Sequence, residues 1–232
     1  QPPQAVSGSE AVVLSLLQGG VRTVFGYPGG AIMPVYDALF EYDHQIRHIL
    51  VRHEQGSIHA AQGYARASGR PGVCIATSGP GATNLITGIA DAKMDSTPVV
   101  CITGQVPSKM LGSDAFQETD IISVSAPLTK WNYQITRPEE IPEVTAKALY
   151  IARSGRPGPV LIDITKNAQI GTLDYRPVNV DHVRGYRPRP TLEPQSIEAG
   201  ARLIDQSRKP FVLVGQGVLL SEAQDELRTL VE

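Results

Sequence analysis

The run Ile46-Arg47-His48-Ile49-Leu50-Val51-Arg52-His53-Glu54-Gln55-Gly56 ends an apolar strand and opens a helix on a carboxylate. Residues 46–51 read as a buried strand, and residues 54–68 as a helix with small residues along one face. Glu54 therefore stands at the carboxyl end of a strand, where open α/β sheets bind their ligands. Two glycine-rich strand-to-helix turns flank it: Gly26-Tyr27-Pro28-Gly29-Gly30 before, and Ser78-Gly79-Pro80-Gly81-Ala82 after. Three successive strand ends thus offer one acid and two loops whose backbone a ligand can approach closely. That is the layout of a cofactor site with the acid at its chemical centre.

The alternation extends both ways. Residues 7–19 read as a helix, with Ser7 able to cap it, Glu10 at capping-box spacing and Gly19-Gly20 as its end. A strand over 21–27 leads to a helix over 31–42, with Pro34 in its first turn, where a missing N–H costs nothing. Strands at 72–77, 98–103 and 158–164 alternate with helices at 82–94 and 138–154, and a long loop covers 104–119. Continuous rather than alternating apolar runs imply a parallel sheet covered on both faces. The expected fold is α/β, a doubly wound parallel sheet. From residue 172 to 190 the periodicity disappears and Pro, Arg and Asp accumulate. The expected domains are 1–175, a linker at 176–192, and the start of a second α/β domain at 193–232. That second part reads as a helix over 195–206, a strand over 210–215 and a helix from 221, about forty residues and too few to bury a core alone.

Composition narrows the function classes. The 232 residues are 41% apolar and 19% charged, as in a globular protein with a substantial core. A net charge of −2 gives no electrostatic case for nucleic acid or an anionic membrane surface. No apolar stretch reaches eighteen residues, and no charged-then-apolar leader opens the chain. Cys74 and Cys101 each lie inside an apolar run, so free buried thiols in adjacent strands are expected. His44, His48 and His59 lack metal spacing, and His53 reads as a polar neighbour of Glu54. A Walker-type phosphate loop is absent, Gly-x-Gly-x-x-Gly is not matched, and Ser78 lacks the glycine of a hydrolase elbow. Taken alone, Glu54 could simply cap its helix, where negative charge meets the N-terminal dipole. The glycine-rich loops on either side favour the chemical role.

Further runs carry a family resemblance. They are residues 25–37, Phe-Gly-Tyr-Pro-Gly-Gly-Ala-Ile-Met-Pro-Val-Tyr-Asp, with Arg52-His53-Glu54-Gln55-Gly56 and Gly63-Tyr64-Ala65-Arg66-Ala67. To these add residues 77–84, Thr-Ser-Gly-Pro-Gly-Ala-Thr-Asn, together with Thr103-Gly104-Gln105-Val106-Pro107, residues 113–119 and residues 154–160. They resemble the catalytic subunits of acetohydroxyacid synthases (acetolactate synthases), which are thiamine-diphosphate-dependent enzymes, over essentially all of residues 7–170. Some of these motifs are common to thiamine-diphosphate enzymes at large. Asp114-Ala115-Phe116-Gln117 with Pro107 and Lys130-Trp131 points to the synthases themselves.

The resemblance implies roles, residue by residue. Glu54 matches the glutamate that hydrogen-bonds N1′ of the thiamine aminopyrimidine and so promotes removal of the thiazolium C2 proton. Tyr27, Pro28, Gly29, Gly30, Pro80 and Asn84 match cofactor-binding positions, and Gln117 matches a residue near the reacting carbon. Phe116 and Lys166 match the substrate entrance; Ala31, Pro107 and Ala115 match the surrounding channel; Arg156 matches an arginine that contacts FAD. Ser57 and Gln62 stand where relatives often carry alanine and glutamate. The implied reaction is decarboxylation of pyruvate and carboligation to a second 2-oxo acid, pyruvate or 2-oxobutyrate, in branched-chain amino-acid biosynthesis. Thiamine diphosphate, Mg2+ and FAD are the implied cofactors, and the metal ligands are expected in a diphosphate-binding domain outside these 232 residues. The fragment by itself is accordingly expected to be inactive. A homodimer or higher homo-oligomer with a small regulatory subunit is implied, in the cytoplasm, or in a plastid where a transit peptide has been removed. The alternatives are a sister carboligase, decarboxylase or oxidase, such as sulfoacetaldehyde acetyltransferase or pyruvate oxidase, or a non-catalytic module keeping the fold.

Overall fold

The strand that leads to Glu54, β3 (Arg47–Leu50), is the edge of a six-stranded sheet in the computed structural model, which describes residues 4–232. The other five strands are β2 (Thr23–Gly26), β4 (Gly72–Ala76), β5 (Val99–Gln105), β6 (Trp131–Ile135) and β7 (Val160–Thr165). Their order is β3-β2-β4-β5-β7-β6, and every neighbouring pair is parallel. The doubly wound parallel sheet expected from the apolar runs is the one found. β3 differs from expectation in burial: as an edge strand paired only with β2 it is partly open, and Leu50 is 63% exposed. β6 forms the opposite edge and was not anticipated, because its Trp-Asn-Tyr-Gln-Ile run mixes polar and apolar residues as an edge strand does.

Alternate residues of the central strands feed two separate cores. Val24, Val73, Ile75, Val100 and Ile102 pack on one face, with α1 (Gly8–Gln18), α2 (Met33–Glu41) and α7 (Ile141–Arg153). Phe25, Cys74, Ala76 and Cys101 pack on the other, with α3 (Glu54–Ser68) and α5 (Ile86–Met94). Cys74 and Cys101 are register partners, fully buried and free, with sulfurs 3.4 Å apart, as the sequence indicated.

Local signals set the helix ends. Ser7 Oγ accepts from Glu10 N at 3.2 Å, closing the first turn of α1. The Glu10 carboxylate does not complete the expected capping box, since it accepts from the Tyr42 hydroxyl at 2.8 Å. Ser7→Ala is expected to destabilise the domain by about 1 kcal/mol, read as a lower denaturant midpoint with unchanged slope. The helix expected over 82–94 is two, α4 (Pro80–Thr83) and α5, broken at Asn84-Leu85. The residues just before α1 form a further strand, β1 (Gln4–Ser7), which pairs antiparallel with β8 (Thr172–Tyr175). That pairing joins segments 168 positions apart and could not be read from local periodicity. Two short helices complete the sheet domain, α6 (Ile121–Ser125) and α8 (Lys166–Ile170).

The chain divides into two units, residues 1–189 and 190–232. Within the first, Tyr186 donates from its hydroxyl to the Ser154 carbonyl at 2.9 Å and accepts from Lys130 Nζ at 2.9 Å. The second contains α9 (Pro194–Gln206), α10 (Gly217–Leu220) and α11 (Gln224–Val231). The strand expected over 210–215 is not formed, and Phe211 and Leu213 there are 89% and 88% exposed. A strand requires a neighbour to share its hydrogen bonds, and residues 190–232 contain none.

Candidate active site

From β2 the chain winds outward to β3 and then returns to the other side of β2 as β4. The carboxyl ends of these strands therefore border the crevice where winding reverses, the usual ligand position in an open α/β sheet. Three segments leave from that crevice: residues 27–32 after β2, residues 51–54 after β3, and residues 77–80 after β4.

Glu54 is the first residue of α3 and only 8% exposed. His53 caps the helix, its Nδ1 accepting from Gln55 N at 3.1 Å, so the Glu54 side chain is free to point elsewhere. It meets Asn84, whose Nδ2 donates to Glu54 Oε2 at 2.9 Å. The break between α4 and α5 is what turns Asn84 toward it. Oε1 accepts no hydrogen bond among the described residues and faces Gly81, where an added Cβ would stand 3.2 Å away.

Thr77 organises the two glycine turns and was not singled out from sequence. Its Oγ1 accepts from Ala31 N at 3.3 Å. A Cβ on Gly29 or on Gly81 would lie 2.6 Å from its side chain. Both glycines are thus required by close approach, which brings the first turn, the second turn and Glu54 together. Tyr36 lies beneath, donating to the Ile75 carbonyl at 3.4 Å. Burial, with smaller Coulombic contributions from Cys74 and Glu54, pushes its phenol well above the usual value, so it remains a neutral donor.

The loop after β5 returns to the same place. Gly79 has φ +57°, and a Cβ there would stand 2.5 Å from the Gln117 carbonyl oxygen. Gln117 itself has φ +57°, a conformation rare outside glycine and frequent at functional sites. Phe116 beside it is 87% exposed. Pro107 opens a short turn over Ser108–Met110, and Ala115 N donates to Glu118 Oε2 at 3.0 Å. Lys166 Nζ donates to the Gly30 carbonyl at 2.6 Å, and Gln169 Nε2 to the Ala31 carbonyl at 2.8 Å. Tyr27, Pro28, Gly29, Gly30, Ala31, Glu54, Pro80, Asn84, Gln117 and Lys166 are therefore gathered at one end of the sheet. Arg156 is not among them. It precedes β7 and donates to Ser96 Oγ at 2.7 Å and to the Met94 carbonyl at 3.3 Å, both before β5, so it lies at the amino ends of the strands. Among the described residues no group of three or more His, Cys, Asp or Glu is placed to hold a metal ion. No helix among them is long and apolar enough to cross a membrane.

A second buried acid lies behind the loop. Asp163, in β7, is fully buried and accepts from Thr103 Oγ1 at 2.7 Å, Gln134 Nε2 at 2.9 Å and Gln105 Nε2 at 3.2 Å. Burial pushes its carboxyl up from 3.8 to about 6; the three hydrogen bonds oppose this and the Asp120 charge adds to it. The folded state thus holds this proton more tightly than the unfolded chain. Its contribution to stability is complete below pH 3.8 and is lost as pH rises through about 6. Stability is expected to be lower at pH 7 than at pH 4 by about 2 kcal/mol from this group, read by denaturation at the two pH values, and Asp163→Asn to remove that difference.

Comparison with known proteins now identifies the fold. Residues 6–124 match the family described as "Thiamine pyrophosphate enzyme, N-terminal TPP binding domain". The chain belongs to this family. It is 52% identical over 231 residues to the probable acetolactate synthase large subunit of Methanocaldococcus jannaschii, covering 98% of this chain and 39% of that protein. It is 52% identical over 231 residues to the acetolactate synthase large subunit of Corynebacterium glutamicum, covering 99% and 37%. It is 48% identical over 236 residues to the acetolactate synthase of Arthrospira platensis, covering 100% and 41%. The chain spans about two fifths of the length of these relatives.

Proposed function

We propose that this chain is the N-terminal part of an acetolactate synthase catalytic subunit. It would hold the aminopyrimidine half of thiamine diphosphate during decarboxylation of pyruvate and carboligation to a second 2-oxo acid. The observation that carries the reading is the buried Glu54 carboxylate, with one oxygen bound by Asn84 and the other beside Gly81 without a hydrogen bond among the described residues. Close identity to synthase large subunits over the whole chain supports it.

The residues present fit the cofactor. A carboxyl with one open oxygen can exchange a proton with a ring nitrogen, and Asn84 fixes which oxygen is open. Gly29 and Gly81 let the two turns close on Thr77 beside Glu54, and the backbone of residues 27–30 and of Pro80 would then lie against a flat ring. When bound, thiamine diphosphate supplies the nucleophilic carbon and the electron sink. This chain's part is to orient the ring, hold a proton at Glu54, and present Gln117 and Phe116 at the mouth of the crevice. Lys166, tied to the Gly30 carbonyl, would meet the substrate carboxylate on its way in, past Ala31, Pro107 and Ala115.

The remaining assignments follow the same reading. Mg2+ would be held by residues outside this chain. FAD would contact Arg156 at the end of the sheet opposite Glu54, away from the chemistry. Pyruvate and 2-oxobutyrate would be substrates, with a homo-oligomer of catalytic subunits, a small regulatory partner, and a cytoplasmic or plastid location. The pyrimidine-binding domain would comprise residues 1–175, and residues 193–232 would begin a central FAD-binding domain.

The test is acetolactate formation from pyruvate by the full-length protein, with thiamine diphosphate, Mg2+ and FAD omitted in turn. Loss of product without thiamine diphosphate, and a reduction without FAD, is the expected pattern. Pyruvate consumed without acetolactate would move the assignment to a sister enzyme, and no turnover with all three cofactors would overturn it.

A further inference from the structure

Asp163 makes no ion pair among the described residues, although its carboxyl is enclosed by β5, β6 and β7. Burying a carboxyl without a cation is unfavourable, and an apolar side chain of similar size would serve packing as well or better. Its hydrogen bonds indicate another task. Gln105, two residues beyond Thr103 on β5, uses its whole amide: Nε2 donates to Asp163 Oδ2 at 3.2 Å and to the Thr119 carbonyl at 3.0 Å, and Oε1 accepts from Val106 N at 2.9 Å. A flipped amide would set its oxygen against both the carboxylate and the Thr119 carbonyl. The acceptor on Asp163 therefore fixes which way the Gln105 amide faces. That amide in turn joins the two stems of the loop, Val106 and Thr119.

Between the stems the loop is ordered from within. The Glu118 carboxylate accepts from Gly112 N and from Ala115 N, and these bonds hold its carboxyl below the usual range. Outside this internal frame, the loop meets the domain at Asn167, whose Oδ1 accepts from Ser108 N at 2.7 Å, at Gly79, and at the Gln105 clamp.

We propose that Asp163 is a positioning residue that sets the Phe116-Gln117 segment against the Gly79 turn, by orienting Gln105 to hold the Thr119 carbonyl. The consequence for turnover rests on the synthase reading, in which Gln117 stands near the reacting carbon. The clamp itself does not.

The experiment is amide hydrogen exchange on the full-length protein without cofactors, comparing wild type, Gln105→Met, Asp163→Leu and Asp163→Asn. Gln105→Met and Asp163→Leu are expected to raise exchange over residues 112–119 by about tenfold, the equivalent of one lost hydrogen bond, and to leave β5 and β7 protected. Asp163→Asn is expected to keep wild-type protection, because its carbonyl can accept from both glutamines while its amide donates to Thr103. In the same proteins, kcat should fall with the loop protection and recover in Asp163→Asn. Wild-type exchange in Gln105→Met, or loosening of β5 and β7 equal to that of the loop in Asp163→Leu, would overturn the proposal. Failure of the synthase reading would appear separately, as wild-type protein indifferent to thiamine diphosphate, with the exchange pattern intact.

Discussion

Glu54→Gln in the full-length protein is expected to reduce turnover by about two to four orders of magnitude, the usual range for losing a positioned proton donor or acceptor. The substitution is nearly isosteric, and the glutamine carbonyl can still accept from Asn84, as Glu54 Oε2 does. What changes is the atom facing Gly81, from a carboxyl oxygen to an amide that neither releases nor takes up a proton at neutral pH. The loss of charge at the start of α3 removes a favourable interaction with the helix dipole, worth less than about 1 kcal/mol. Turnover and the denaturation midpoint, measured on the same preparation, separate the two effects. Turnover within a few-fold of wild type would take Glu54 out of the chemistry, whatever its burial.

Gly79→Ala is expected to be the most damaging small substitution in the crevice. The residue has φ +57° and ψ −122°, a region essentially confined to glycine, and occupying it with a Cβ costs about 1–3 kcal/mol. The new carbon would also stand 2.5 Å from the Gln117 carbonyl oxygen, so either the turn or the loop must move, at a further 1–3 kcal/mol or so. The sum, about 2–6 kcal/mol, should lower the denaturant midpoint and raise exchange at residues 115–119. Gly20→Ala is the matching control. Gly20 has φ +83° with nothing within 4 Å of an added Cβ, so only the backbone term applies, about 1 kcal/mol. Equal losses in the two variants would mean that the Gln117 contact carries no strain.

What could be read from the chain follows the range of the interactions concerned. The α3 boundaries, Glu54 to Ser68, match the expected helix, although its caps, His53 at one end and left-handed Gly69 at the other, were not read from the sequence. The central strands were legible because burial on both faces makes their apolar runs continuous. Edge strands break that rule: β3 was expected to be buried, and β6 was missed. The β1–β8 pair lay beyond any local pattern, as did the absence of a strand at 210–215, where apolar character is present without a partner.

The site divides along the same line. Glu54 and the two glycine turns could be placed from residue type and position alone. Thr77, which draws the turns together, and the Asp163–Gln105 clamp depend on cross-strand register and were invisible beforehand. Arg156, matched by family likeness to an FAD contact rather than to the Glu54 site, lies at the opposite ends of the strands.

The most direct test of the central claim, that Glu54 holds the proton of a bound aminopyrimidine, is hydrogen exchange at the thiazolium C2 position. The rate would be followed in deuterated buffer for thiamine diphosphate bound to the full-length protein and to its Glu54→Gln variant. Rapid exchange in the wild type, slowed by about a hundredfold or more in the variant, is the predicted result. Equal rates in the two proteins, at matched cofactor occupancy, would contradict the role assigned to Glu54.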